Sequence, residues 1–212
     1  TKTFKASPTI SISRTPTGTV PVGASVDFTA AGAGSGGNYS WGFGSVANPA
    51  TSVINAAGAS TITVTGTDED GCFNTASESV NAAAIVAGTI TSATDIVCTG
   101  DVPGALTETV VASGGSGSGS GYIYSWYKKT GSGAYAIIAS ATTAAYTPTA
   151  AVTQTTYFRR DITDLGVTEE GTPYTFTVSS LPSISIASSG STISAGTAVT
   201  LTSTVSTSPA SA

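Results

Sequence analysis

The chain has no histidine, no methionine and only two cysteines, Cys72 and Cys98. The missing histidine removes the commonest general base and the commonest metal ligand together. Ser-His-Asp and Cys-His mechanisms are thereby excluded within the chain, and zinc would have to rely on two thiols and carboxylates. Charge is scarce too. Only 9% of residues are Asp, Glu, Lys or Arg, where ordinary globular domains carry about a quarter. Seven basic residues against twelve acidic ones, net −5, leave no electrostatic footprint for nucleic acid. An anionic membrane surface is disfavoured for the same reason. No apolar run approaches the roughly 20 residues of a spanning helix, so membrane insertion is not expected. Helical periodicity is missing beyond a few residues: Ala139–Ala145 and Thr147–Val152 are Ala-rich, but Thr and Pro interrupt them.

What fills the 212 residues is Thr, Ser, Ala, Val and Gly. Thr and Val favour strands, while Gly and Ser supply turns. The 40% hydrophobic content suffices for one large or two small domains. With no initiator methionine and no leader, the chain is expected to be a slice of something longer or a processed form.

The stretch around which the rest is arranged is Tyr122-Ile-Tyr-Ser-Trp-Tyr-Lys-Lys129. Tyr122, Tyr124 and Trp126 alternate, so a strand would point all three to one face. A Gly/Ser run precedes it and Thr-Gly-Ser-Gly follows. Thr155-Thr156-Tyr157-Phe158-Arg159-Arg160 is a second aromatic strand, read as its neighbour. A buried Trp on one strand with a Tyr-bearing strand downstream is the core pattern of an immunoglobulin-like sandwich. A weaker copy, Tyr39-Ser40-Trp41, occurs earlier.

Taken in order, residues 1–7 read as a linker. Strands follow at Pro8–Ser13, Val22–Thr29 with Val26 and Phe28 inward, Tyr39–Phe43, a short edge at Thr51–Ile54, and Thr61–Thr65. The hairpin turn Asp68-Glu69-Asp70-Gly71 then leads to Phe73–Val80. A second set is expected at Thr89–Val97, Ala105–Ala112, Tyr122–Lys129, Tyr135–Ile138, Ala144–Pro148, Thr155–Thr163 and Tyr174–Val178. Seven short strands with regular turn signals indicate a sandwich.

An internal repeat sets the domain count. Pro182-Ser-Ile-Ser-Ile-Ala copies Pro8-Thr-Ile-Ser-Ile-Ser at an offset of 174, and Ala195–Thr202 copies Val22–Thr29 at 173. Two modules fit between the copies, over 8–84 and 85–181. A third begins at Pro182, and its expected range, 182–212, holds two strands, too few to close a core. It is expected to be truncated or completed by a neighbour.

Tyr39-Ser40-Trp41-Gly42-Phe43-Gly44, with Thr61–Thr65 and Thr67-Asp68-Glu69-Asp70-Gly71-Cys72, resembles PKD-like repeats, although Gly42 and Ser45 stand where that family has acidic residues. Ala87-Gly88-Thr89-Ile90, Val97-Cys98-Thr99-Gly100, Pro103-x-x-Leu106-Thr107, Tyr124-x-Trp126 and Thr155–Arg160 resemble the Ig-like repeats of large bacterial surface proteins of the gliding-motility adhesin and type IX secretion kind. The resemblance spans most of residues 8–205. It implies stalks, spacers and adhesive surfaces outside the cell.

Each remaining motif has a plain reading beside the sharper one. Cys72 and Cys98 would be a disulfide in an oxidising compartment. In an end-to-end pair of sandwiches they would lie at far ends, beyond the roughly 7 Å reach of a bridge, so each reads as a half-buried lone thiol, with an intermolecular bond as third option. Asp68, Glu69 and Asp70 do not point the same way on a turn and so fall short of a calcium cage; they read as a solvated hairpin tip. Asp161, Asp164, Glu169 and Glu170 read as a second solvated patch near a long loop. Gly114–Gly121 lacks the Lys-Ser/Thr and helix of a phosphate loop and reads as a flexible connection. Lys128, Lys129, Arg159 and Arg160 hold most of the positive charge. They could meet an acidic glycan or a partner, while a charge-protected sheet edge is the plain reading. Trp41 and Trp126 read as core rather than sugar platforms. Asn38-Tyr39-Ser40 is a chance sequon.

The expectation is therefore an all-β chain of tandem immunoglobulin-like/PKD-like β-sandwiches with an incomplete third module. It would be a non-enzymatic structural or adhesive repeat region of an extracellular bacterial surface protein, with no catalytic residue, cofactor or metal. Its partners would be neighbouring repeats, with surface glycans or other subunits as further candidates. Two alternatives remain: a subunit of an extracellular filament assembled by strand exchange, and a carbohydrate-binding accessory region of a secreted hydrolase.

Overall fold

The computed structural model describes residues 5–117, 121–188, 192, 194–196 and 198–206. No helix occurs among them. The strands are β1 Ser11–Thr15, β2 Val20–Pro21, β3 Ser25–Ala31, β4 Asn38–Trp41, β5 Ala50–Val53, β6 Gly58–Thr67, β7 Phe73–Ala83, β8 Ile85–Val86, β9 Thr89–Thr91 and β10 Ile96–Cys98. They continue with β11 Thr107–Val110, β12 Ser113–Gly114, β13 Ile123–Thr130, β14 Ala136–Ile137, β15 Thr156–Asp164, β16 Val167–Glu169, β17 Tyr174–Ser179, β18 Ser183–Ser188 and β19 Leu201–Ser206. By contacts the chain divides into two units, one of Thr1–Thr89, Val110–Tyr124 and Asp161–Gly171, the other of Ile90–Thr109, Ser125–Arg160 and Thr172–Ala212. The fold is all-β.

In the first unit two sheets, β1-β3-β5 and β2-β7-β6-β4, enclose one core. Strand β3 alternates strictly, burying Val26, Phe28 and Ala30 and exposing the residues between; a period of two is what a sheet with one wet face requires. Across from it stand Trp41, Val64 and Val80. The Trp41 ring lies 5.9 Å from Phe28 and 5.8 Å from Phe43, and its indole Nε1 donates to the carbonyl of Ala47 at 2.9 Å. After β1 the chain crosses to the other sheet, where β2 pairs parallel with β7. Asp68 shapes the β6–β7 turn by accepting from the amides of Asp70 and Cys72 at 3.1 and 2.9 Å.

A smaller cluster in the same unit joins Ile85, Ala87, Ala112, Tyr122 and Ile162. The expected acidic patch is corrected in part: Glu169 and Glu170 are exposed as expected, while the two aspartates are not. Asp161 and Asp164 are each 3% exposed, not solvated. The Asp164 carboxylate accepts from the Ser116 amide at 2.6 Å and its hydroxyl at 3.0 Å, and Asp161 accepts from the Gly171 amide at 3.3 Å. Each thus ties β15 to a neighbouring loop or turn. Gly115 must be glycine there: its φ is +57°, and a Cβ would collide with Oδ2 of Asp164. Nor is there a long loop beside them, because β15 and β16 join through Leu165-Gly166 alone, with Asp164 paired to Val167. Part of the expected Gly/Ser connection, 118–120, lies outside the described residues.

In the second unit the sheet runs β10-β17-β15-β13-β14, with β10 parallel to β17. Its core gathers Trp126, Leu106, Phe158, Phe176, Val97, Val178, Ile90 and Val152. The aromatic rings form a chain: Trp126 to Tyr146 at 5.4 Å, Tyr146 to Phe158 at 5.8 Å, and Phe158 edge-on to Phe176 at 5.9 Å. The indole of Trp126 donates to Thr143 O at 2.8 Å. Two expected strands change form. Thr89–Val97 splits into β9 and β10, which pair with different strands, and Ala144–Pro148 contributes only the isolated bridge Leu106↔Tyr146.

The hairpin β18–β19 repeats a pairing seen in the first unit. There Ile12 pairs with Ala30; the sequence offsets of 174 and 173 map these onto Ile186 and Ser203, which are partners in the hairpin. One face carries Ile184, Ile186, Leu201 and Val205, exposed by 59–70%, and the other carries Ser, Thr and Ala.

Candidate functional site

The parity of β13 and β15 decides which side chains reach the outer face of the second unit's sheet. Trp126 and Phe158 are buried, so Tyr127, Lys129, Tyr157 and Arg159 turn outward, each half-buried. Tyr135, just before β14, completes a ladder. The Arg159 guanidinium carbon lies 5.2 Å from the Tyr127 ring centre and 4.8 Å from that of Tyr135. Lys129 Nζ lies 5.1 Å from Tyr135 and 4.5 Å from Tyr157. The order is Tyr127, Arg159, Tyr135, Lys129, Tyr157, with each cation between two rings. Every such contact contributes about 0.5–1 kcal/mol at a partly exposed site.

At the Tyr157 end the face opens into a pocket of about 610 Å³. Thr99, Lys129, Ser132, Gln154, Tyr157 and Ser180 are among its lining residues, and no carboxylate is. The surrounding backbone is pinned: the Gly131 amide donates to Thr155 O at 2.8 Å, and the Thr99 amide to Ser179 O at 2.9 Å.

Of the four cations expected as one patch, Lys129 and Arg159 belong to the ladder. Arg160 does not. Its side chain is 1% exposed and donates from Nη1 to Glu108 and to the Ala144 carbonyl, both at 2.7 Å. It is turned inward by the same parity that turns Arg159 out. Lys128 has the parity of Trp126 and is half-buried. The three tyrosines were not among the candidate residues read from sequence. Tyr127 and Tyr157 had a usable signal, alternation away from a buried neighbour, whereas Tyr135 reaches the ladder through a loop that no periodicity describes.

Elsewhere the candidate residues are held by the fold. Trp41 and Trp126 are 2% and 0% exposed. Cys72 and Cys98 are free thiols, the second exposed rather than half-buried. The hairpin tip is partly neutralised by Lys5, which pairs with Asp70 and stands 3.6 Å from Asp68; these acids raise the lysine's pKa. Burial, then the charge of Asp164, pushes the Tyr122 phenol up. Among the described residues, no group of three or more His, Cys, Asp or Glu is placed to hold a metal.

Residues 86–182 match the family model of a domain of unknown function, DUF8696. No curated protein matches the chain. Among solved structures, the chain is similar to three N-terminal domains of the highly immunogenic outer capsid protein (Hoc) of bacteriophage RB49, at 19% identity, covering 82% of this chain and 70% of that one, with a TM-score of 0.40. A stretch of titin domains is 14% identical over 83% of this chain and 65% of that one, TM-score 0.35. The cadherin domains of protocadherin gamma B2 are 15% identical over 78% and 38%, TM-score 0.26.

Proposed function

We propose that the chain belongs to the structural or adhesive repeat region of an extracellular bacterial surface protein, acting as stalk or adhesin and without catalytic activity. The observation that carries this reading is how the reactive side chains are used. Asp161, Asp164, Arg160 and Asp68 each complete a turn, a loop or a buried pair. Asp161, Asp164 and Arg160 are buried, and Asp68, which lines a shallow pocket with Lys5 and Glu69, has its Oδ1 committed to the turn amides of Asp70 and Cys72, so none is poised for acid–base chemistry. Both tryptophans lie in cores rather than on a flat sugar-binding surface, which weighs against the accessory-module alternative.

The modules are 8–84 and 85–181, with a third opening at Pro182. Cluster membership supports these limits. Every buried member of the Trp41 core lies between Ile10 and Ala82, and every buried member of the other two clusters between Ile85 and Val178. The family match over 86–182 supports the second module. The register shared by β18–β19 and β1–β3 supports the third.

One observation favours the filament alternative: the apolar face of β18–β19 stands exposed, and strands from another subunit that complete a sandwich would pack a second layer on it. Solution scattering with mass determination on the 212-residue chain separates the two. A monomer supports the stalk. A regular assembly that is lost when 182–212 is deleted overturns it in favour of the filament subunit.

A further inference from the structure

We propose that the pocket at the Tyr157 end of the ladder binds a carboxylated saccharide, with the acid group on Lys129 Nζ and the sugar hydroxyls on the surrounding Ser, Thr and Gln side chains. This rests on the adhesive half of the reading above and supplies its ligand class. Three features of the pocket point to it.

The first is its polarity. Its lining offers one ammonium, one phenol, a carboxamide and a run of hydroxyls, with Val178 the only aliphatic side chain beyond methyl groups. Polar atoms and carbon share the pocket surface about equally, the mixture that a sugar ring with hydroxyl edges and C–H faces can meet. The second is its charge. The chain is acidic overall, at −5, yet no carboxylate lines this pocket while a lysine does. An anion entering it meets a cation with no lining acid in competition.

The third is order. Lysine side chains normally lose considerable rotamer freedom on binding. Here the ammonium is already held between the rings of Tyr135 and Tyr157, at 5.1 and 4.5 Å. An ammonium carries three N–H donors, so contacts with two ring faces leave at least one for a carboxylate. The volume, about 610 Å³, falls in the range of small-molecule sites, about 300–1,000 Å³. The pocket's opening to solvent leaves room for a sugar within a longer polymer.

The test uses the ¹⁵N-labelled 212-residue chain titrated with a galacturonate oligosaccharide and with its methyl ester, which removes the charge and keeps the sugar. Sialyllactose and lactose form a second pair, distinguishing a uronate from a sialate source. The expected result is saturable shifts at the amides of Gly131, Ser132 and Thr155 with at least one acidic probe, and binding about tenfold weaker for its neutral counterpart. K129Q, checked for an unchanged unfolding midpoint, loses the preference for the acidic probe, and K129R keeps it. Equal binding of acidic and neutral probes, shifts confined to other residues, or no saturable binding overturns the assignment. Retention of chain-coated beads on glass and mucin under flow separates the two levels. Retention without saccharide binding overturns the pocket's role and leaves adhesion standing, whereas loss of both overturns adhesion as well.

Discussion

Arg160 donates to Glu108 and to the carbonyl of Ala144 from a side chain that is 1% exposed, while Glu108 is 20% exposed. Removing one partner of such a pair leaves a charge without compensation. R160A is expected to cost toward the lower end of about 3–5 kcal/mol, because Glu108 regains some water. Replacing both, R160M with E108L, should cost clearly less, and urea midpoints of the two variants decide it. Tyr122 makes a second residue-scale case. Its hydroxyl donates to Gly114 O at 2.8 Å, so Y122F should lose about 0.5–1.5 kcal/mol at neutral pH. Burial raises the phenol's pKa in the folded chain. The neutral form is therefore favoured by folding: its stabilising share is complete below the ordinary tyrosine value of about 10 and is lost as pH rises beyond it, because the unfolded chain ionises first. Stability measured from pH 8 to 11 should fall less steeply in Y122F than in the natural sequence.

At the scale of elements, the β15–β16 turn offers the clearest target. Leu165 and Gly166 both take positive φ, 45° and 81°, the pattern of a two-residue type I′ turn. Glycine suits its position. Leucine does not, since its Cβ crowds the following carbonyl in the left-handed region. L165N should stabilise the first unit by about 1 kcal/mol, read as a higher thermal midpoint; an unchanged or lower midpoint would show that Leu165 is held by contacts worth more than the strain. The elements themselves were largely legible. Strands with clean alternation, such as Val26–Phe28 in β3 or the Trp126 strand, were placed with the right face inward. Thr89–Val97 was read as one strand but divides between two sheets, because Ser92 to Asp95 forms a bend that propensity alone does not mark. Asp161 and Asp164 looked solvated because four acids in ten residues usually are. The Ser116 amide that binds Asp164 lies 48 residues away in sequence, and the Gly171 amide that binds Asp161, though only ten residues on, reaches it by a chain reversal that composition does not mark.

At the scale of the molecule, the modules make two expectations. Residues 85–181 expressed alone should fold cooperatively, since no buried member of their two clusters lies outside that range; a non-cooperative melt by circular dichroism would instead support the discontinuous division by contacts. Deleting 183–212 should leave the unfolding midpoint of the remainder within error. No residue of β18 or β19 belongs to a core cluster, and all twelve are exposed. A two-stranded hairpin of that kind is marginal in water by itself.

Composition and period determined the all-β class, the two tryptophan cores, the repeat at Pro182 and the exclusion of histidine chemistry. These are properties of single residues and of alternation along one strand, and both are local. Tertiary structure decided which charges are available. Arg159 and Arg160 are adjacent and chemically identical, yet one stacks between tyrosines at the surface and the other is sealed against Glu108. Strand parity sends the two to opposite faces, and the partners each meets there, tyrosine rings for Arg159 and Glu108 with the Ala144 carbonyl for Arg160, come from segments distant in sequence. The Lys129 pocket depends likewise on a loop, two strand ends and the 153–155 segment meeting in space, a coincidence that no spacing in the sequence records.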